Sequence, residues 1–115
     1  MKHLRQRNAR IAEELILFCY RHKANNINLN INHEKNHTKI IIEARGVKID
    51  NETILVMEKL LNVPRSTEME EYYWNLTGES DIDCELSIIG TMCDSAKIRY
   101  QNENETLKIE LIRTE

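Results

Sequence analysis

Residues 39–50, KIIIEARGVKID, constrain the fold more than any other stretch of this chain. Three consecutive isoleucines favour a β-strand, because β-branched side chains pack well on a pleated, half-buried surface. Gly46 follows the strand, and a glycine in that place is typical of a sharp turn. Asp50 or Asn51 can then act as the N-cap of a helix. The stretch therefore predicts a strand, a sharp turn at Gly46 and the start of a helix. We call the turn the glycine corner, and the rest of the chain must bury the apolar side chains of the strand.

The segment before this corner predicts a helix and a further strand. Residues 3–23 contain neither Gly nor Pro, so a helix can run through all of them. Residues 27–31 alternate apolar side chains with Asn, which is the period of a half-buried strand, and they form a hairpin with residues 38–44. Four residues of the first helix recur at helical spacing and predict its core-facing side: Ile11, Leu15, Phe18 and His22.

The segment after the corner predicts three helices and a second hairpin. The first helix spans residues 52–61 and stops before Pro64, and Ser66 can cap the next one, which Gly78 closes. A fourth helix begins at Asp81 or Asp83, with Leu86, Ile89 and Cys93 as its buried side. Residues 97–101 and 106–113 form the closing hairpin. The order α-β-β-α-α-α-β-β predicts a two-layer α/β (α+β) sandwich, with helices on one mixed or antiparallel sheet.

Length and composition indicate a single domain over residues 1–115, with its core over about 8–113 and residues 1–7 as an N-terminal helix extension. Hydrophobic residues at 41% and charged residues at 30% exclude wholesale disorder. No apolar run is long enough to span a bilayer, so we expect a cytoplasmic domain without membrane contact of its own, whose parent protein can still be anchored. Cys19, Cys84 and Cys93 are expected to be reduced core residues.

Charge is distributed unevenly along the chain, although the net charge is only −3. Residues 1–23 carry six basic residues, and residues 66–85 carry seven acids without a Lys or Arg. A nucleic-acid interface needs a clustered basic face. The basic N-terminus alone is more typical of a solvated helix, and we expect no nucleic-acid partner.

HEKNH, residues 33–37, matches the HExxH pattern of zinc proteases. That chemistry needs a helix, which places both histidines on one face. Here the five residues join two predicted strands, so a hairpin turn is the better interpretation and no metal site is expected.

The succession of helix, hairpin, glycine corner, variable segment, helix and final hairpin over residues 11–111 resembles the ATPase domain of the GHKL superfamily. That group includes sensor histidine kinases, gyrase and anti-sigma-factor kinases. The resemblance implies a Bergerat-type histidine-kinase ATPase-like fold. LSI at residues 86–88 matches the family's GxGLSI box, and Gly46 matches the first glycine of its DxGxG box. Eight positions then correspond to the nucleotide pocket: Phe18, Arg21, His22, Ala44, Gly46, Lys48, Asp83 and Glu85.

Most of these positions depart from the family pattern. The family's ENAxKH helix holds magnesium through an Asn, and Phe18 stands at that place, although the basic pair Arg21 and His22 fits. Ala44 replaces the Asp that accepts a hydrogen bond from adenine, and Lys48 replaces the second glycine. Asp83 and Glu85 replace the two glycines that let a helix N-terminus approach phosphate, and their charges would repel it. We expect Phe18, Ala44, Asp83 and Glu85 to line one concavity.

The resemblance implies a signal-transduction role, as in a bacterial two-component system, and the departures favour a pseudokinase. We therefore expect a regulatory module that binds a protein partner and needs no cofactor, and a homodimer is compatible with the sequence. The alternative is an active histidine or anti-sigma-type serine kinase that binds ATP and Mg²⁺ through altered contacts. Whether the chain is an enzyme, and which residue would be catalytic, stays open.

Three adjacent aromatics, Tyr72, Tyr73 and Trp74, lie on the predicted acidic helix. They cannot all face one core, so at least one should be partly exposed. Packing over the vacated pocket is one interpretation, and an anchor for a protein partner is the other.

Overall fold

The computed structural model describes residues 3–77 and 86–114. Its described elements form an α+β architecture in which helices pack on one antiparallel sheet of four strands. In chain order they are α1 (Leu4–Arg21), β1 (Asn26–His33), β2 (His37–Arg45), α2 (Asn51–Leu61), α3 (Thr67–Thr77), α4 (Leu86–Thr91), β3 (Ser95–Gln101) and β4 (Thr106–Thr114).

The strand order in the sheet is β1-β2-β4-β3, so the two hairpins meet where β2 pairs with β4. All three pairings are antiparallel. Their register places Ala44 opposite Ile27 on one side and Leu107 on the other. The strand that ends at the glycine corner therefore lies in the middle of the sheet, and β1 and β3 lie at its edges.

The core lies between the sheet and the helices because alternate residues of each strand point to the same side. On β2 these residues are Ile40, Ile42 and Ala44, all with 0% exposure. The other strands and the helices add the remaining buried apolar side chains, which include Ile11, Leu15, Cys19, Val47, Met57, Leu61, Ile89, Met92, Leu107, Ile109 and Leu111. Phe18 and Ile27 pack against this cluster as half-buried residues.

Two helix starts follow the capping predicted from the sequence. The Asp50 carboxylate accepts a hydrogen bond from the Thr53 N–H at 2.7 Å, and this bond lowers the pKa of Asp50. The Ser66 hydroxyl accepts one from the Met69 N–H at 3.2 Å. Each bond satisfies an amide that would otherwise have no partner at a helix N-terminus.

Two helix ends differ from the sequence prediction. α1 ends at Arg21 and not at Lys23, because Lys23 takes a left-handed conformation with φ 75°. α4 ends at Thr91, so Cys93 is not part of its buried side as predicted. Cys93 is nevertheless buried, and the described cysteines, Cys19 and Cys93, are free thiols in the core. Burial raises the pKa of Cys19 to about 11 and that of Cys93 to about 12, so both thiols are unreactive at neutral pH. Cys84 lies outside the described residues.

The HEKNH stretch is the turn of the first hairpin, as expected. His33 ends β1 and His37 begins β2. The His33 ring hydrogen-bonds to the Thr38 hydroxyl at 3.2 Å, and the His37 ring lies 3.3 Å from Glu34. Within residues 3–77 and 86–114, no group of three or more His, Cys, Asp or Glu side chains is placed to hold a metal ion.

None of the described helices combines the length and the apolar character that crossing a bilayer requires.

Candidate functional site

The glycine corner lies beside the C-terminal end of α1. Gly46 has φ +79°, a left-handed conformation that favours glycine. A Cβ atom at this position would lie 2.9 Å from the side chain of Asn25. The Asn25 N–H donates to the Arg45 carbonyl at 2.9 Å, which holds the two segments at this short separation. Glycine is therefore needed here both for its conformation and for the close approach.

Backbone hydrogen bonds fix the residues that follow Gly46. The Lys48 N–H donates to the carbonyl of His22 at 3.0 Å, and the Val47 N–H donates to the carbonyl of Glu105 at 3.0 Å. The Tyr100 hydroxyl donates to the Val47 carbonyl at 2.6 Å. The corner thus joins the end of α1 to the final hairpin, mostly through main-chain groups.

Side chains add two further contacts at the corner. The Lys48 ammonium lies 3.0 Å from the Glu105 carboxylate, and both groups are exposed enough to be well solvated. The rings of Phe18 and His22 lie 4.5 Å apart between centroids. Burial, and then the charge of Arg21, lower the pKa of His22, so this ring is neutral at pH 7.

The structure brings together four of the eight positions that the family resemblance assigns to a nucleotide pocket. His22, Gly46 and Lys48 are connected by the corner, and Phe18 joins them through its contact with His22. Of the remaining four positions, Arg21 lies exposed on the last turn of α1 and Ala44 is fully buried in the core, while Asp83 and Glu85 lie outside the described residues. The predicted concavity of Phe18, Ala44, Asp83 and Glu85 therefore stays a prediction.

The side chains of this corner do not fit the way in which the family holds ATP and Mg²⁺. Magnesium takes oxygen ligands, and the phenyl ring of Phe18 supplies none. The methyl group of Ala44, with 0% exposure, cannot accept a hydrogen bond from an adenine amino group. The Lys48 ammonium, where the family has a glycine, is already paired with Glu105.

Sequence reasoning missed a buried charge network at the other end of the helix layer. Glu70 of α3 is 1% exposed and contacts Arg113 of β4 at 2.9 Å and Arg7 of α1 at 3.0 Å. Arg113, with 0% exposure, also donates to the carbonyl of Met92 at 2.8 Å. Three elements that are far apart in the chain are thereby joined through one carboxylate.

The periphery of this network is more exposed. Arg65 lies 3.9 Å from Glu70 and 2.7 Å from Asp94. Burial alone would raise the pKa of Asp94, but hydrogen bonds from Thr114 together with the charge of Arg65 lower it overall. One signal in the sequence could have revealed the network, because Arg113 continues the inward alternation of Leu107, Ile109 and Leu111.

Of the aromatic residues of α3, Tyr72 is exposed and Trp74 is half-buried against the N-terminal end of α1. Tyr72 is 62% exposed, which confirms that at least one of the three aromatics reaches solvent. The Trp74 ring stacks on His3 at 5.6 Å, and the Arg7 guanidinium lies 5.3 Å from its centroid. These partners lie at the N-terminal end of α1, Arg7 about 16 Å and His3 about 22 Å along the helix axis from Phe18 at 1.5 Å per residue. Trp74 therefore covers the charge network and not the glycine corner.

Comparisons with known proteins give no further assignment. No protein-family model matches the chain, and no curated protein and no solved structure matches it either. The resemblance to the GHKL ATPases therefore stays a hypothesis that depends on the residues of the corner and on the order of the elements.

Proposed function

We propose that this chain is a GHKL-type ATPase-like domain of a signal-transduction protein, in which the nucleotide contacts are lost and the domain acts by binding a protein partner. One observation carries the proposal. The corner keeps the left-handed Gly46 and its backbone connections, while Phe18 and Ala44 supply no oxygen atom where the family binds Mg²⁺ and adenine. A backbone that is retained without its ligand groups is what a pseudo-enzyme would have.

Exposed apolar side chains on α2 support the proposed binding of a protein partner. Leu55 and Val56 are 58% and 54% exposed, and Leu60, one turn further along, also reaches the surface. Met57 and Leu61 of the same helix are buried, so α2 already uses its inner side for the core. Apolar groups that remain on the outer side suit a contact with another protein.

An active kinase with altered contacts is the second candidate. It is favoured by Gly46 and by Arg21 and Lys48, which have the sign of charge that phosphate requires, while the His22 ring at the same corner is neutral at pH 7. In this alternative, other groups would replace Phe18 and Ala44 as ligands of the nucleotide.

Amide NMR of the full chain distinguishes the two candidates. We expect ATP and ADP, each with and without Mg²⁺, to leave the amide signals of His22, Gly46 and Lys48 unchanged at millimolar nucleotide. Saturable shifts of these three amides at micromolar nucleotide would instead support the kinase. Because the readout is specific to residues, weak binding of phosphate elsewhere on the domain cannot be mistaken for binding at the corner.

A restoring variant tests the family assignment separately from the loss of function. The changes are Phe18→Asn, Ala44→Asp, Asp83→Gly and Glu85→Gly, and circular dichroism verifies that the variant folds. We expect the restored domain to bind ATP with Mg²⁺ at the corner. A folded variant that still fails to bind would count against a GHKL-type pocket at this place.

A further inference from the structure

The side of the sheet that faces away from the helices carries a cluster of basic residues, which we call the open-face cluster: Lys97, Arg99 and Lys108. Lys97 and Arg99 alternate with the inward Ala96 and Ile98 on β3. Lys108 lies between the buried Leu107 and Ile109 on β4, and all three basic residues are exposed.

Like charges in this cluster lie next to one another. The register of β3 and β4 places Arg99 directly opposite Lys108. Side chains that face each other across an antiparallel pair have Cβ atoms about 5 Å apart, and like charges in this position are unfavourable. In a chain with net charge −3, the arrangement is not a consequence of general basicity.

The carboxylates of the same face have other partners. Glu110 lies 3.5 Å from the ammonium of Lys39, and Glu43 lies 4.0 Å from the guanidinium of Arg45. Within residues 3–77 and 86–114, no carboxylate comes within 4.0 Å of the charged group of Lys97, Arg99 or Lys108. The register places Glu110 directly opposite Lys97 and Glu43 directly opposite Lys108, so three positive charges face two carboxylates whose shortest contacts are to Lys39 and Arg45, and Arg99 faces only Lys108.

Protection of an edge strand explains only part of this cluster. Natural sheets place Lys on edge strands to prevent pairing with other chains, and β3 is an edge strand. Lys108, however, lies on β4, which is paired on both sides. A basic residue on this inner strand, opposite Arg99, does not protect an edge strand from pairing with another chain.

The cluster surrounds a hollow of suitable size for a compact anion. The hollow measures about 250 Å³ and is lined by Lys97, Arg99, Lys108 and Glu110. Pockets for drug-sized ligands are roughly 300–1,000 Å³ and mostly apolar, so this smaller polar hollow suits a charged group better than an apolar molecule. A guanidinium can bind two oxygens of one phosphate, while an ammonium acts as a point charge.

We propose that the open-face cluster binds a small phosphate monoester. Arg99 donates two hydrogen bonds to the phosphate, and Lys97 and Lys108 neutralise its remaining charge. Glu110 lines the same hollow and would repel a bare phosphate, but it accepts a hydrogen bond from a hydroxyl group on the ester. The ligand class is therefore a phosphate monoester with a hydroxyl close to its phosphate, such as a sugar phosphate. This site does not depend on the proposed function of the glycine corner.

The test is an amide NMR titration of the full chain at constant ionic strength with a hexose monophosphate, with inorganic phosphate, with sulfate and with a single-stranded oligonucleotide. We expect saturable shifts for the hexose phosphate at residues 97–99 and 108–110, at lower concentration than for inorganic phosphate. Arg99→Gln should weaken this binding at least about tenfold, the size expected for loss of hydrogen bonds to a charged group.

Lys35→Gln is the matched control, because it removes the same charge from an exposed turn on the far hairpin. It should leave the binding unchanged. Thermal unfolding checks that Arg99→Gln folds, and we expect its stability to equal or exceed that of the parent, since an unfavourable like-charge pair is removed.

Four results would overturn the proposal. They are an absence of saturable shifts with the hexose phosphate, shifts at the glycine corner instead, an equal loss of binding in the Lys35→Gln control, and tighter, steeply salt-dependent binding of the oligonucleotide. The last result would assign the cluster to a nucleic-acid backbone.

Discussion

The two ends of α1 are attached to the rest of the domain by different kinds of interaction. At the N-terminal end, Arg7 reaches a carboxylate that is buried together with Arg113. At the C-terminal end, backbone groups of His22 and Lys48 form the contact, and the Lys48–Glu105 ion pair there is exposed. The first end depends on the identity of its side chains. The second end depends on backbone geometry, so its side chains are free to change while its shape is kept.

The proposed loss of nucleotide contacts at the corner is compatible with this difference. Gly46 and the main-chain hydrogen bonds are sufficient to keep the turn in place, and none of them involves the side chains that would hold a nucleotide. Phe18 and Ala44 contribute to the core instead. Substitutions at the two ends should therefore have very different consequences, and the following changes test this.

The largest effect is expected for Glu70→Gln. Removal of this carboxylate takes away the acid that Arg113 contacts at 2.9 Å and one of the two acids that Arg7 contacts, Glu71 being the other, and breaking a buried pair in this way costs about 3–5 kcal/mol of unfolding free energy. Urea denaturation monitored by circular dichroism measures the loss. Glu68→Gln, at an exposed position on the same helix, is the control and should change stability by no more than about 0.5 kcal/mol. Equal small losses of unfolding free energy in both variants would mean that the charge network does not stabilise the packing of α3.

Gly46→Ala should have the next largest effect. An alanine in the left-handed conformation costs about 1–2 kcal/mol, and its Cβ would also displace the side chain of Asn25. The same change in an Asn25→Ala background should cost less, because only the conformational part remains. Denaturation of the single and double variants measures the difference. If the alanine were accepted without loss, the corner would not require a left-handed residue.

The pH dependence of the unfolding free energy should show the contribution of Asp94, which lies at the periphery of the charge network. The pKa of Asp94 is lowered in the folded state, so the ionised carboxylate stabilises the fold. This stabilisation is fully present above the usual pKa of about 4 and is lost as the pH falls through the lower pKa of the folded state. Urea midpoints between pH 2 and pH 6 should therefore fall less steeply for Asp94→Asn than for the parent. Asp50, whose pKa is also lowered, remains in both proteins and supplies the residual slope. Parallel curves would show that Asp94 does not contribute.

The smallest effect is expected for Lys48→Ala. Its ion pair with Glu105 is solvent-exposed, and such pairs contribute about 0–1 kcal/mol. The amide signals of Gly46 and Val47 should keep their positions, because backbone groups hold the turn. A loss comparable to that of Gly46→Ala, together with shifted corner amides, would indicate that the side chain and not the backbone maintains the corner.

The sequence predicted much of this architecture because the relevant interactions are local or periodic. Alternation identified the buried faces of the strands, and the short polar residues Asp50 and Ser66 marked two helix starts. The charge network could not be predicted in the same way, since Arg7, Glu70 and Arg113 are distant in the chain and charged residues are normally assigned to the surface. The end of α1 at Arg21 depends on a left-handed Lys23, for which lysine gives no signal.

At the candidate site, residue types indicated what the corner lacks, while its hydrogen bonds became visible only in the structure. The connection from Lys48 to the His22 carbonyl uses main-chain groups, which carry no sequence signature. The open-face cluster could be predicted from the sequence only in part. Alternation places Lys97 and Arg99 on one face, but only the register of β3 and β4 shows that Lys108 lies opposite Arg99.

Isothermal titration calorimetry with ATP and Mg²⁺ tests the central claim most directly, that the glycine corner has kept its shape and lost its nucleotide. The titration uses the Arg99→Gln variant, so that phosphate binding on the open face contributes less heat. The account predicts no saturable heat at millimolar ATP and no thermal stabilisation of the domain. Saturable binding at micromolar ATP would contradict it and would make the domain an ATP-binding protein with other ligand residues.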